Sequence, residues 1–479
     1  MEQMKYLPII YVRGYAGTDK DVEQTVEDPF YGFNSGSAHV RVGEQGSPEQ
    51  FFFESPLLRL ITDHGYRPVF DHHHSSSHPK TIWIYRFYDV TTQSFGSSTA
   101  VRLEMEQIAE GLRDLINDVK EQTGASKVYL IAHSMGGLVC RSLIQKIYPE
   151  KNEKAIDYID KLFTYGTPHG GIHFQMGGGL IERVRDTVRL NNVDDFGPQR
   201  MYEYFTPQMR QRAVLPNDFD AQSLDDTFPA DRVFCIIGTN ARDYEAAFGL
   251  TQKTVGAQSD GLVQIEKAYV RGSHRAYIHR THTGRYGMVN SEEGYQNLQR
   301  FFFGDIQVKI SLANVELSDR NHTFYQMEVR VALRGLPIPI HEQAINHYCP
   351  ITLELTRDKP IPLFTAFLVP RYSASGDCTC RYAIKLALHS FTRKEREWLF
   401  GSHIDQLPLW SDYLIVDVTA IDGVYKAQYT WNYENDEPQH PINPNPNANV
   451  FLADILLPER GQKALGKQAA VHLEICPWS

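Results

Sequence analysis

From Leu7 to His282 the chain alternates short apolar runs with longer stretches whose apolar residues recur every three or four positions. The runs LPIIYV (7–12), TIWIYRFYD (81–89), KVYLIA (127–132), KLFTYGT (161–167) and RVFCIIGT (232–239) read as strands. They are nearly continuous in apolar character, as parallel strands covered on both faces are. Between Ser98 and Gly124, the residues Val101, Met105, Ile108, Leu112, Leu115, Ile116 and Val119 form one helical face. Ser98 or Thr99 can cap the start of that helix, and Gly124 can end it in a left-handed conformation. GLVCRSLIQKIY supplies the next helix. Strands alternating with helices predict an α/β fold, a mostly parallel sheet flanked by helices.

Two interruptions break the alternation. Residues 18–53 are rich in Gly, Ser, Asp and Glu and are too long for an ordinary connection. Residues from about 169 to 231 read as a helical cap inserted between two strands, with Phe174, Met176, Leu180, Ile181 and Val184 as its apolar side chains. Near Gly304 the period changes. GYQNLQRFFFG reads as a closing helix, and about eight period-two segments separated by turn residues follow. The expected organisation is an α/β domain over 1–304 and an all-β, sandwich-like domain over 305–479.

Length and composition agree with two or three domains. The chain has 479 residues, 42% hydrophobic and 22% charged, enough apolar content for a large core. A net charge of −10 argues against nucleic acid as a bulk electrostatic partner. The N-terminal segment lacks the pattern of a secretory signal, and no window approaches a membrane-spanning length. These features predict a cytoplasmic protein, with signal-less secretion as the other route. The six cysteines are scattered and read as reduced thiols. The His-rich stretch FDHHHSSSHPK (70–80) reads as an exposed polar loop.

The candidate chemistry begins at KVYLIAHSMGGLVCR (127–141), where Ser134 stands between a strand and a helix. A sharp strand-to-helix turn of the G-x-S-x-G kind exposes a serine at the top of a sheet. Here Ala132 replaces the first glycine. The physical requirement is smallness, which Gly136 meets fully and Ala132 nearly.

AHSMGG (132–137) resembles the nucleophile elbow of α/β-hydrolase lipases, whose Bacillus-type members also lead with alanine. VRGYAG (12–17) is similar to the HG-x-x-G segment of those enzymes, with Arg13 in place of the histidine. The resemblance implies an oxyanion hole made by the backbone N–H groups of Tyr15 and Met135. YGTPHGG (165–171) resembles a strand-end segment of lipases and GPI inositol-deacylase-like hydrolases, where His169 would have a structural or pocket role. QSDGLVQ (258–264) looks like the lipase segment that carries the acid, which implies Asp260, with Asp243 as runner-up. In YIHRTHTGRYGMVNS the base is His282, favoured over His279 because it falls in the loop beyond the strand, and His274 is a distant third. The resemblance covers roughly residues 5–304. The family's calcium-binding pattern is not evident, so neither metal nor cofactor is expected.

These readings predict a serine hydrolase of carboxylic esters, with a lipid or acyl ester as substrate. The alternatives are a thioesterase, or a phospholipase effector whose β domain binds a membrane surface or a protein partner.

Overall fold

The computed structural model describes residues 6–14, 24, 27–28, 30–42, 46–70, 78–87, 104–172, 196–242, 258–284, 286–317, 323–353, 359–370, 379–394, 403–421, 424–431, 440–442 and 450–479. The chain divides into two compact units, residues 1–275 with 279–295, and residues 276–278 with 296–479.

The first unit opens with β1 (Ile9–Val12), whose four residues are all buried. A two-stranded antiparallel hairpin follows, β2 (Ser37–Val42) and β3 (Pro48–Phe53), inside the long polar interruption. Helix α1 (Pro56–His64) is capped by the Ser55 hydroxyl and leads to β4 (Arg67–Pro68) and β5 (Thr81–Ile84). Helix α2 (Met105–Thr123) starts later than its periodic face suggested. Glu104 and Gln107 form a reciprocal capping box at its first turn, whereas Ser98 and Thr99 lie outside the described residues. Gly124 closes it at φ 68°, as its position implied. The Ile108, Leu112, Leu115, Ile116 and Val119 stripe is buried. Burial of each such side chain contributes roughly 1.5–3 kcal/mol.

Strand β6 (Val128–His133) runs into helix α3 (Met135–Ser142), which continues through a π turn at Leu143–Ile147. Then come β7 (Ile159–Tyr165), helix α4 (Pro198–Phe205) and β8 (Val233–Gly238), followed by β9 (His274–Ile278) and helix α5 (Glu292–Phe303), of which residues 276–278 and 296–303 are counted with the second unit. Of the expected cap, α4 and a short turn at Gln208–Arg210 are described, and residues 173–195 lie outside the described residues.

The sheet order is β4-β5-β1-β6-β7-β8-β9, and the pairs from β4 through β8 are parallel. After β5 the chain crosses to the other side of β1 to form β6. That reversal places a switch point between the carboxyl ends of β1 and β6, where open α/β sheets bind ligands.

The second unit is β-rich. Its strands are β10 (Ile306–Ala313), β11 (Thr323–Leu333), β12 (Pro339–Gln343), β13 (Ile351–Leu353), β14 (Ile361–Leu368), β15 (Thr379–Lys394), β16 (His403–Ile421), β17 (Val424–Trp431), β18 (His440–Ile442) and β19 (Phe451–Leu456), followed by helix α6 (Glu459–Leu465) and β20 (Ala470–Pro477). They form two antiparallel sheets, β14-β10-β20-β19 and β12-β11-β15-β16-β17-β18, with β13 paired to β11. The alternation in β11 is plain: Tyr325, Met327, Val329, Val331 and Leu333 are buried and the residues between them are more exposed.

The elbow after β6 is tightly constrained. Helix α3 begins so close to the end of β1 that a Cβ on Gly136 would sit 2.3 Å from the Val12 carbonyl oxygen and 2.6 Å from that of Arg13. Ala132, by contrast, is fully buried on β6 in register with Val12 and Thr164, and its methyl fits the core. Ala132→Gly is therefore expected to fold, at a cost of about 0.5–1 kcal/mol from backbone entropy. Gly136→Ala is expected to cost more, about 1–3 kcal/mol, from overpacking against main chain that cannot yield. Urea denaturation of both variants measures the difference.

Candidate functional site

Ser134 is the residue between β6 and α3, and the turn forces it to φ 52°, ψ −128°. A non-glycine residue at such a φ stores about 1–3 kcal/mol of strain, held only by its surroundings. Those surroundings are specific. The Ser134 N–H donates to the Tyr165 carbonyl at 2.9 Å, and its own carbonyl accepts from the Thr167 hydroxyl at 2.9 Å. The side chain, freed from the helix, points where it is half-exposed while its neighbours Ala132 and His133 are buried.

Three residues far apart in sequence meet there. Ser134 Oγ lies 3.0 Å from His282 Nε2, and His282 Nδ1 lies 2.8 Å from Asp260 Oδ2. The Asp260 carboxylate is buried, and its other oxygen accepts the N–H groups of Leu262 at 3.0 Å and Val263 at 2.8 Å. A carboxylate only accepts, so the proton of a neutral His282 resides on Nδ1. Nε2 is then free to accept from the Ser134 hydroxyl. The His282 N–H also donates to the Asp260 carbonyl at 2.9 Å, so backbone and side chain lock the same pair.

The other candidates are placed as follows. His279 is exposed one residue past β9, with its Nδ1 3.3 Å from the Thr239 hydroxyl, and it does not join Ser134. His274 is buried at the start of β9. Met135 is the first residue of α3, where backbone N–H groups have no acceptor within the helix. Tyr15 and Asp243 lie outside the described residues. Gly14, just before Tyr15, is described, and a Cβ there would approach Ser134 Cβ to 2.7 Å, so Gly14 itself lies directly beside the serine. Arg13 donates to the Tyr31 carbonyl and lies over the Tyr31 ring at 5.0 Å. No group of three or more His, Cys, Asp or Glu suited to a metal is found among the described residues.

Several contributors carried no signal of their own. Thr167 was visible only as part of YGTPHGG, and its role in holding the Ser134 carbonyl emerges from geometry. Arg141, fully buried on α3, donates to the carbonyls of His169, Ala221 and Ser223 and to Gln145. It thereby ties the segment after β7 and the 221–223 turn to the helix that follows Ser134. Burial lowers its pKa to about 9. His169 is buried beside Thr164, with Nε2 3.1 Å from the Thr164 hydroxyl, and it does not join the serine either.

Two histidines are held neutral. His133 is pushed well below the ordinary histidine value by burial, then by His282 and Arg13. His169 is lowered in the same direction by burial and by Arg141. The unfolded chain binds protons at both rings near the ordinary value of about 6.5, whereas the folded chain does not. Their contribution to stability is therefore complete above about pH 6.5 and is lost as pH falls toward the folded-state values. Unfolding free energy measured by urea titration is expected to fall between pH 7 and pH 5, and less steeply in His169→Gln.

Residues 3–192 match the family described as the PGAP1-like alpha/beta domain. Lipase 1 of Staphylococcus aureus (strain Mu50 / ATCC 700699) is 22% identical over 200 residues, covering 38% of this chain and 26% of the relative. Lipase 1 of strain N315 gives the same figures, 22% over 200 residues. The chain spans about a quarter of the length of these curated relatives. A solved structure of a Listeria innocua gene product is 14% identical over 62% of this chain and 93% of its own, with a TM-score of 0.28. A candidate cell surface hydrolase of Lactobacillus plantarum WCFS1 is 12% identical over 62% of this chain and 89% of its own, with a TM-score of 0.25. The parallel sheet and the PGAP1-like match over residues 3–192 give the first unit an α/β-hydrolase fold, with a likeness to Lipase 1 of Staphylococcus aureus, and a β-rich unit follows it in the chain.

Proposed function

We propose that this protein is a serine hydrolase that cleaves carboxylic esters through Ser134, His282 and Asp260. The observation that carries the reading is the continuous hydrogen-bonded series from Asp260 Oδ2 to His282 Nδ1 at 2.8 Å and from His282 Nε2 to Ser134 Oγ at 3.0 Å. A serine hydroxyl is a weak nucleophile, and an adjacent oriented base is what activates it.

On this reading Ser134 Oγ attacks the acyl carbonyl as its proton passes to His282 Nε2. Asp260 keeps the ring in the Nδ1–H tautomer and stabilises the imidazolium that forms. The Met135 N–H, at the start of α3, donates to the developing oxyanion. The second donor is the N–H of Tyr15, which follows Gly14. The imidazolium then protonates the leaving alkoxide, and water attacks the acyl-serine by the same route in reverse. A lipid or other acyl ester is the proposed substrate, supported by the likeness to Lipase 1 of Staphylococcus aureus.

Ser134→Ala is expected to lower hydrolysis of p-nitrophenyl esters by roughly 10³-fold or more, with the fold retained. Across a chain-length series, activity is expected to persist beyond acetyl into medium-length acyl chains. Activity confined to acetyl esters would contradict the lipid-ester assignment, and full activity of Ser134→Ala would contradict the nucleophile.

A further inference from the structure

Immediately before the serine, His133 is buried at the end of β6. Its Nε2 lies 3.2 Å from the backbone carbonyl oxygen of His282. The two imidazole rings face each other with centroids 4.9 Å apart and planes inclined by 39°. A carbonyl oxygen only accepts, so this contact requires the proton on His133 Nε2. The peptide units on both sides of His282 are then fixed, its N–H by the Asp260 carbonyl and its C=O by His133.

We propose that His133 is a positioning residue for hydrolysis, a neutral ring whose Nε2–H clamps the His282 backbone and thereby sets the base against Ser134 and Asp260. This inference rests on the serine-hydrolase reading above. Because His133 adjoins Ser134 in the chain, one side chain references the base directly to the nucleophile. Placement matters at this scale, since a misplacement of about 1 Å can cost about 100-fold in rate. The neutral state matters as well. When His282 takes the serine proton, a second imidazolium at 4.9 Å would oppose it. Burial is the main cause that keeps His133 uncharged; the charged groups facing it, His282 on the loop after β9 and Arg13 after β1, disfavour its protonation as well, against the hydrogen bond to the His282 carbonyl, which favours it.

The test uses the full chain. Imidazole ¹⁵N NMR is expected to find His133 neutral and protonated on Nε2 from pH 8 down to pH 5. His133→Phe removes the donor at similar bulk and is expected to lower kcat about 10- to 100-fold while leaving KM nearly unchanged. His133→Gln retains an N–H donor and should recover most of kcat. An Nδ1-protonated ring in the wild type, or His133→Phe with wild-type kcat, would overturn the proposal while leaving the serine-hydrolase reading intact. Loss of hydrolysis dependence on Ser134 in the wild type would overturn both.

Discussion

The site depends on one crowded crossing, where the end of β1 passes against the turn from β6 into α3. Gly136 has no room for a side chain against Val12 and Arg13, and Gly14 has none against Ser134. The chain can make that crossing only by taking Ser134 to φ 52°. The strained conformation lifts the hydroxyl out of the sheet, and the bonds from Ser134 to Tyr165 and Thr167 hold it there. Because the crossing falls at the switch point between β1 and β6, the serine faces the carboxyl edge of the sheet. Asp260 and His282 come from loops after β8 and β9, so strands distant in sequence deliver their side chains to one place.

Electrostatic order follows from which atoms can only accept. The Asp260 carboxylate accepts two backbone N–H groups before it meets His282. Hydrogen bonds to a charged acceptor contribute about 1.5–3 kcal/mol each, enough to hold the His282 ring in one tautomer. His133 and His169 are two further imidazoles in the same region, and burial keeps both neutral. Among these three rings, only His282 connects both to a carboxylate and to the serine hydroxyl.

Much of this was legible in the sequence, for identifiable reasons. Buried parallel strands are nearly continuous apolar runs, so β1, β5, β6, β7 and β8 were marked by composition alone. Ala132 is compatible with the elbow because it sits in register on β6, while the crowding falls at Gly136. The hairpin over 37–53 was not legible, because its strands lie in a polar, glycine-rich stretch and their alternation is weak. The start of α2 was misplaced for a related reason: a Glu104–Gln107 capping box leaves no Ser or Thr at the boundary. The choice between His279 and His282 turns on where β9 stops. A strand ending at Ile278 leaves His279 exposed and carries the chain three residues further before His282 folds back onto Asp260. Roles carried by backbone contacts, such as those of Thr167 and His133, have no pattern of their own in a single sequence.

The most direct measurement of the central claim is mass spectrometry of the full chain after reaction with a fluorophosphonate. A serine activated by His282 and Asp260 predicts one adduct per chain, located on the peptide that contains Ser134 and absent after denaturation before labelling. A folded protein that gains no adduct, or gains it on another serine, would contradict the account.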